Sequence, residues 1–127
     1  MTCGCDVNYR LLFLNPFTLY SKLIFNQKKN KKMDLREIIN HENTTIVDVR
    51  EPYEFATGSA QGAINIPLGT IPARLSEFKN MATPIVVYCR SGMRSAQAMG
   101  FLRAQGIKEV FNGGGLSDVV FYQNKAA

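Results

Sequence analysis

The chain has 127 residues, room for one ordinary domain but not two, and its 46% hydrophobic and 20% charged content excludes disordered, collagenous and disulfide-scaffold proteins. No apolar run approaches the roughly 18 residues of a membrane-spanning helix, so no transmembrane segment is expected. The net charge of +5 is unevenly placed: residues 1–32 carry six basic side chains against Asp6, whereas residues 33–127 carry nine basic and nine acidic ones, a balance that makes nucleic acid an unexpected partner for the body of the protein.

Residues 1–32 do not read as part of the fold. Leu11–Leu14 is apolar, but Asn15-Pro16 breaks it, and the cluster Lys28, Lys29, Lys31, Lys32 follows the apolar part where a signal peptide would place it first. No small-residue cleavage site is present, and a single arginine is too few for a mitochondrial targeting helix. The stretch is expected to be a poorly ordered extension or the product of a misassigned start, with attachment to a membrane surface as the weaker alternative. Met33 opens the patterned region, so the domain is placed at 33–127.

From there strand-like and helix-like segments alternate. Asp34 is suited to cap a helix through Ile39, with Leu35, Ile38 and Ile39 on its apolar side. Thr45–Val49 is short, β-branched and apolar, a buried strand. Glu51-Pro52 opens a short helix that Gly58 closes. Ala63–Ile66 is a second strand stopped by Pro67, and Ile71–Phe78 a helix with Leu75 and Phe78 inward. Pro84–Tyr88 is the most strongly buried strand, followed by a long helix from Met93 to Gln105 that ends at Gly106. Val110-Phe111 is a last strand and Leu116–Tyr122 a last helix. This alternation predicts an α/β fold with a mainly parallel sheet covered by helices on both faces.

The three cysteines, Cys3, Cys5 and Cys89, are an odd set, which points to reduced thiols and a cytoplasmic setting. Cys3-x-Cys5 has no second pair and no neighbouring histidine, so no metal or cofactor is expected. Cys89 is different. It follows the central apolar strand and opens Arg90-Ser91-Gly92-Met93-Arg94-Ser95 before the long helix. In parallel sheets ligands bind beyond the carboxyl ends of the strands. There, free amides at a helix start and two guanidinium groups favour a thiolate. Gly92 gives the loop a backbone freedom other residues lack.

Three segments, Asp48-Val49-Arg50-Glu51 with Glu54-Phe55, Gly62–Pro67, and Val86–Ser95, together resemble the single-domain rhodaneses, which are thiosulfate sulfurtransferases. The resemblance spans Met33 to Tyr122 and implies a small five-stranded α/β domain that transfers sulfur through a cysteine persulfide. It makes Cys89 the catalytic nucleophile and Arg90, Ser91, Gly92, Met93 and Arg94 the substrate-binding loop. The partners implied are a small-molecule sulfur donor, a thiol or cyanide acceptor, and in one alternative a partner protein's persulfide. Tyrosine phosphatases and their rhodanese-like cell-cycle relatives use a loop one residue longer, which sets phosphatase or arsenate reductase chemistry aside. A non-catalytic binding module is the remaining rival, and the presence of Cys89 argues against it.

Supporting roles are expected for Asp48, Arg50 and Ser95, with Arg50 pairing to Glu54 across a helical turn. Arg94 is expected to bond loop carbonyls and the incoming anion, and Arg90 to lie at the rim. His41, the only histidine, is expected in solvent. Two departures from the family pattern stand out: Gly58-Ser59-Ala60-Gln61-Gly62 replaces a histidine-containing segment, and no tryptophan follows Gly113-Gly114-Gly115.

Overall fold

The computed structural model describes residues 32–125. The expectation of a poorly ordered extension over residues 1–32 thus falls, Lys32 apart, outside the described residues. In chain order the elements are α1 (Leu35–Ile39), β1 (Thr45–Asp48), α2 (Pro52–Ala56), β2 (Ile64–Asn65), 3-10 turns at Leu68–Thr70 and Pro72–Arg74, α3 (Leu75–Lys79), β3 (Ile85–Cys89), α4 (Met93–Ala104), β4 (Val110–Gly115) and α5 (Leu116–Asn124). The strands form one parallel sheet in the order β2-β1-β3-β4.

Strand β3 shows how the sheet divides the core. All five of its residues are buried, and the two-residue period sends them alternately to opposite faces. Ile85, Val87 and Cys89 join Val47 and Val49 of the β1 segment against Phe78, Ala98 and Leu102. Val86 and Tyr88 join Ile46 against Ile38, Ile39 and Val119 on the other side. A sheet apolar on both faces must be covered on both, which is why helices α1 and α5 lie on one side and α3 and α4 on the other.

Three details differ from the sequence expectations. The described residues form four strands, not five: residues 35–39 ahead of β1 are taken up by α1, and the connection from Asn65 to Ile85 carries Pro67 and Pro72, which lack the amide a further ladder would use. The helix expected over Ile71–Phe78 is one 3-10 turn at Pro72–Arg74 followed by α3: the Arg74 amide donates to the Ile71 carbonyl three residues back, and Arg74 leaves the helical region at φ −112°, ψ 21°. Strand β4 runs on through Gly115, beyond Phe111.

That extension rests on a bulge. Val87 pairs with Asn112 but Tyr88 pairs with Gly114, leaving Gly113 as the extra residue. A Cβ at Gly113 would sit 2.8 Å from Val86 Cγ1 and 2.9 Å from Val119 Cγ2, both on buried β-branched side chains with little rotamer freedom. Gly113→Ala is therefore expected to lose about 1–3 kcal/mol of stability through overpacking, read as a lower urea midpoint with an unchanged slope.

Candidate active site

The carboxyl ends of β1 and β3 converge with the start of α4. Cys89, the last residue of β3, is fully buried at 0% exposure, so its sulfur lies at the floor of the loop and not on its rim. The loop turns at Gly92, whose φ of 95° lies in the left-handed region that glycine adopts without strain. Its Cα faces Gly114, and a Cβ there would meet Gly114 Cα at 3.2 Å. The turn aims the Gly92 amide at the sulfur, with N–H donating to Cys89 Sγ over 3.0 Å.

Ser95 stands behind the sulfur, its Oγ 3.5 Å from Cys89 Sγ and 2.7 Å from Asn112 Oδ1, so its one hydroxyl proton is shared between these two acceptors. Asn112 Nδ2 donates to the Gly92 carbonyl at 3.0 Å, and Gly114 N–H donates to Asn112 Oδ1 at 2.9 Å. One amide side chain thus ties β4 to both sides of the loop. Burial alone would push the Cys89 thiol up, but the Ser95 hydroxyl and the amides of Ser95, Gly92 and Ser91 stabilise the thiolate more, bringing the pKa from 9.0 down to about 7.

The arginines partner differently from the sequence expectation. Arg50 does not pair with Glu54; its guanidinium is turned onto Asp48, with Nη2 2.6 Å from Oδ2 and Nε 3.0 Å from both carboxylate oxygens. The residues are only two apart, and the Arg50 backbone amide also donates to Asp48 Oδ1 at 2.9 Å, so the strand end folds the side chain back on itself. Arg50 also donates to the Gly58 carbonyl at 2.7 Å and lies 5.9 Å from the Tyr88 ring centroid. Arg94 in turn does not bond loop carbonyls. Its guanidinium takes Glu54 bidentately, Nη1 to Oε2 at 2.8 Å and Nη2 to Oε1 at 3.0 Å. The Arg94 contact, aided by the Glu51 amide, holds the Glu54 carboxyl down at about 2.

Arg90, Ser91 and Met93 are exposed on the outer side of the loop, and Arg90 has no ion pair among the described residues. An open cleft of about 430 Å³ lies between Arg50, Glu54, Thr57, Arg90, Leu116 and Ser117. A cleft of about 420 Å³ at the other end of the sheet, near Phe78 and Lys108, is not lined by a cysteine. His41 is exposed, as expected, and accepts a bond from the Asn43 amide. The residues that sequence reasoning did not single out are Asn112 and the pairing role of Glu54. The segment that departs from the family pattern packs beneath the site: Ala60 is buried and its amide donates to Tyr88 Oη at 2.9 Å.

A family model described as the rhodanese-like domain matches residues 32–120. The chain belongs to this family. Among rhodanese-like relatives, it is 39% identical over 61% of its length to a sulfurtransferase of Allochromatium vinosum, covering 71% of that protein. It is 38% identical over 58% of its length to the thiosulfate sulfurtransferase PspE of Escherichia coli, covering 71% of that protein. A solved rhodanese with anions from E. coli superposes with a TM-score of 0.54 at 38% identity, over 59% of this chain and 89% of that one. The matches also include a tRNA uridine(34) hydroxylase of Buchnera aphidicola, 29% identical over 61% of this chain but only 27% of that protein. Sulfurtransferase-type rhodanese chemistry is thus the family's ground, and no helix among the described residues is long and apolar enough to cross a membrane.

The thiolate is the reacting form, so alkylation of Cys89 should rise with pH through a midpoint near 7 and level off above it. Ser95→Ala removes a hydroxyl that stabilises the anion and should move that midpoint upward. Alkylation of the folded protein across roughly pH 5–10, quantified on the Cys89 peptide after digestion, checks both.

Proposed function

We propose that the protein is a sulfurtransferase that carries a sulfane sulfur on Cys89, taking it from thiosulfate or from a persulfide or polysulfide. The observation that supports this reading is a fully buried cysteine, in a short amide-lined loop, whose thiol is half ionised at neutral pH.

In the first half-reaction the Cys89 thiolate attacks the outer sulfur of thiosulfate. The new S–S bond forms as the old one breaks, and its electron pair leaves with sulfite. Cys89 is left as a persulfide whose terminal sulfur is anionic, directed away from the floor toward the loop opening. The amides that stabilise the thiolate are fixed before the reaction starts, so no reorganisation is needed as charge moves outward. In the second half-reaction cyanide or a thiolate attacks the terminal sulfur, forming thiocyanate or a new persulfide and returning the Cys89 thiolate. Dividing the transfer in two gives ping-pong kinetics.

The geometry disfavours phosphoryl chemistry. A phosphate cradle needs a guanidinium turned onto the anion, whereas Arg94 is engaged with Glu54. A low-pKa thiol also fits a reducing compartment such as the cytoplasm, where it stays free of disulfides.

Treatment with thiosulfate followed by mass spectrometry should show one added sulfur on Cys89, and Cys89→Ser should abolish both this adduct and thiocyanate formation while leaving the fold intact. Sulfur appearing on Cys3 or Cys5 with retained turnover would overturn the assignment. Arg90, exposed and unpaired among the described residues, should act by attracting the donor. Arg90→Ala is expected to raise the thiosulfate KM several-fold with little change in kcat, Arg90→Lys to restore most of it, and the effect to fade as salt rises.

A further inference from the structure

Three arginines stand at the carboxyl end of the sheet, and two are already neutralised. Arg50 is closed onto Asp48, and Arg94 is closed onto Glu54. Arg90 alone remains without a partner among the described residues. Glu54 is not a passing surface partner. Its side chain is 15% exposed against 35% for Arg94, and it lines the cleft beside Arg90. Its Oε2 accepts both Arg94 Nη1 at 2.8 Å and the Glu51 amide at 2.9 Å, while Oε1 accepts Arg94 Nη2, so the start of α2 holds the carboxylate in place. Arg94 is raised chiefly by its Glu54 bond, and the Cys89 thiolate adds to the same direction, so the pair lies within electrostatic reach of the sulfur.

We infer that Glu54 is a specificity-determining residue that sets the site against dianionic sulfur donors and toward donors of lower charge, such as organic persulfides and thiosulfonates. This deepens the sulfurtransferase reading and rests on Cys89 as the reacting thiol. A dianion approaching an ionised thiolate meets like charge, and two cations at the loop would offset it. Glu54 removes one of them. A donor with a single negative charge needs no more than Arg90, so it loses less. The carboxylate stays ionised through the working pH range, since its pKa lies near 2, so the discrimination does not vary near neutrality.

Two probes read this charge in the full-length protein. The first compares alkylation of Cys89 by iodoacetate, an anion, with iodoacetamide, its neutral analogue, each followed on the Cys89 peptide so that Cys3 and Cys5 do not contribute. Both reagents consume the same thiolate, so their rate ratio reports the local potential and cancels the thiol pKa. Glu54→Gln, which keeps an acceptor for the Glu51 amide, should raise the iodoacetate-to-iodoacetamide ratio about threefold to tenfold at low salt, with the gain shrinking as salt is added. The second probe compares kcat/KM for thiosulfate with that for methanethiosulfonate, which undergoes the same S–S cleavage with one charge fewer. Glu54→Gln should raise that ratio in the same direction.

Should Glu54→Gln fail to fold, Arg94→Gln tests the point from the other side: it leaves the carboxylate uncancelled and should lower the iodoacetate ratio. An alkylation ratio unchanged or lowered in folded Glu54→Gln, or unchanged in Arg94→Gln, overturns the inference. A wild-type protein that takes up sulfur from neither donor overturns the sulfurtransferase reading instead, while the alkylation ratios still decide the role of Glu54.

Discussion

The structure around the carboxyl ends of the strands is organised by one conflict: a sulfur with no exposure to water has to carry negative charge. Burial disfavours the anion, and a buried thiol without compensation would titrate well above its ordinary range. A hydrogen bond to a charged group contributes about 1.5–3 kcal/mol, so a few of them reverse the sign. Here the Gly92 amide, the neighbouring loop amides and the Ser95 hydroxyl supply them, and the thiol ends near 7 rather than 9. Every feature of the loop follows from that need. It must be short, so that successive amides point inward. It contains a residue at positive φ, Gly92, and it is held from outside through the Gly92 carbonyl, which accepts from Asn112 Nδ2.

The outside support comes from two neighbouring strands by different means. On the β4 side a neutral side chain does it: Asn112 bonds the Gly92 carbonyl and receives the Ser95 hydroxyl, and the glycines after it let the backbone lie close against the loop, Gly114 against Gly92 and Gly115 against the Arg90 carbonyl. On the β1 side the support is ionic. Asp48 and Arg50 form a pair that is 0% and 6% exposed, and such a pair is costly to break from one side because it strands a buried charge. Asn65 joins it by donating to the carbonyls of Asp48 and Arg50, so β2, short as it is, pins the same corner.

Much of this was legible in the sequence, and the part that was not has a physical reason. The buried strands at Thr45–Val49 and Pro84–Tyr88, the caps at Asp34 and Gly106, and Pro52 at the start of α2 are written in nearest neighbours, and the structure keeps them with shifts of a residue or two. Cys89 was visible because its whole environment, from strand end to helix start, is contiguous. Asn112 was not, since it acts on residues 17 and 20 positions away across a bulge that no local pattern announces. The pairing of Glu54 misled for a related reason. A helix offers it Arg50 one turn earlier, but Arg50 is drawn to an acid two residues away, and Glu54 finds Arg94 across 40 positions. Proximity in sequence ranks partners poorly once the sheet has brought strand ends together.

The charge pattern makes the same point at the scale of the site. Read along the chain, Arg90 and Arg94 are two positive charges bracketing a thiolate, which describes a strongly anion-binding loop. Read in three dimensions, they are unlike. Arg94 and Glu54 form a fork with both oxygens engaged, so Arg94 contributes geometry at the loop end but little net field, and Arg50 with Asp48 does the same one strand over. What distinguishes the cleft electrostatically is therefore the single guanidinium of Arg90 that is uncompensated among the described residues, set on the exposed side of a buried thiol. The separation has a consequence for how such a loop can vary. Substitution at the exposed position alters which anions are attracted while the floor, held by amides and by Asn112, remains as it is. Substitution at the paired positions changes charge and support together.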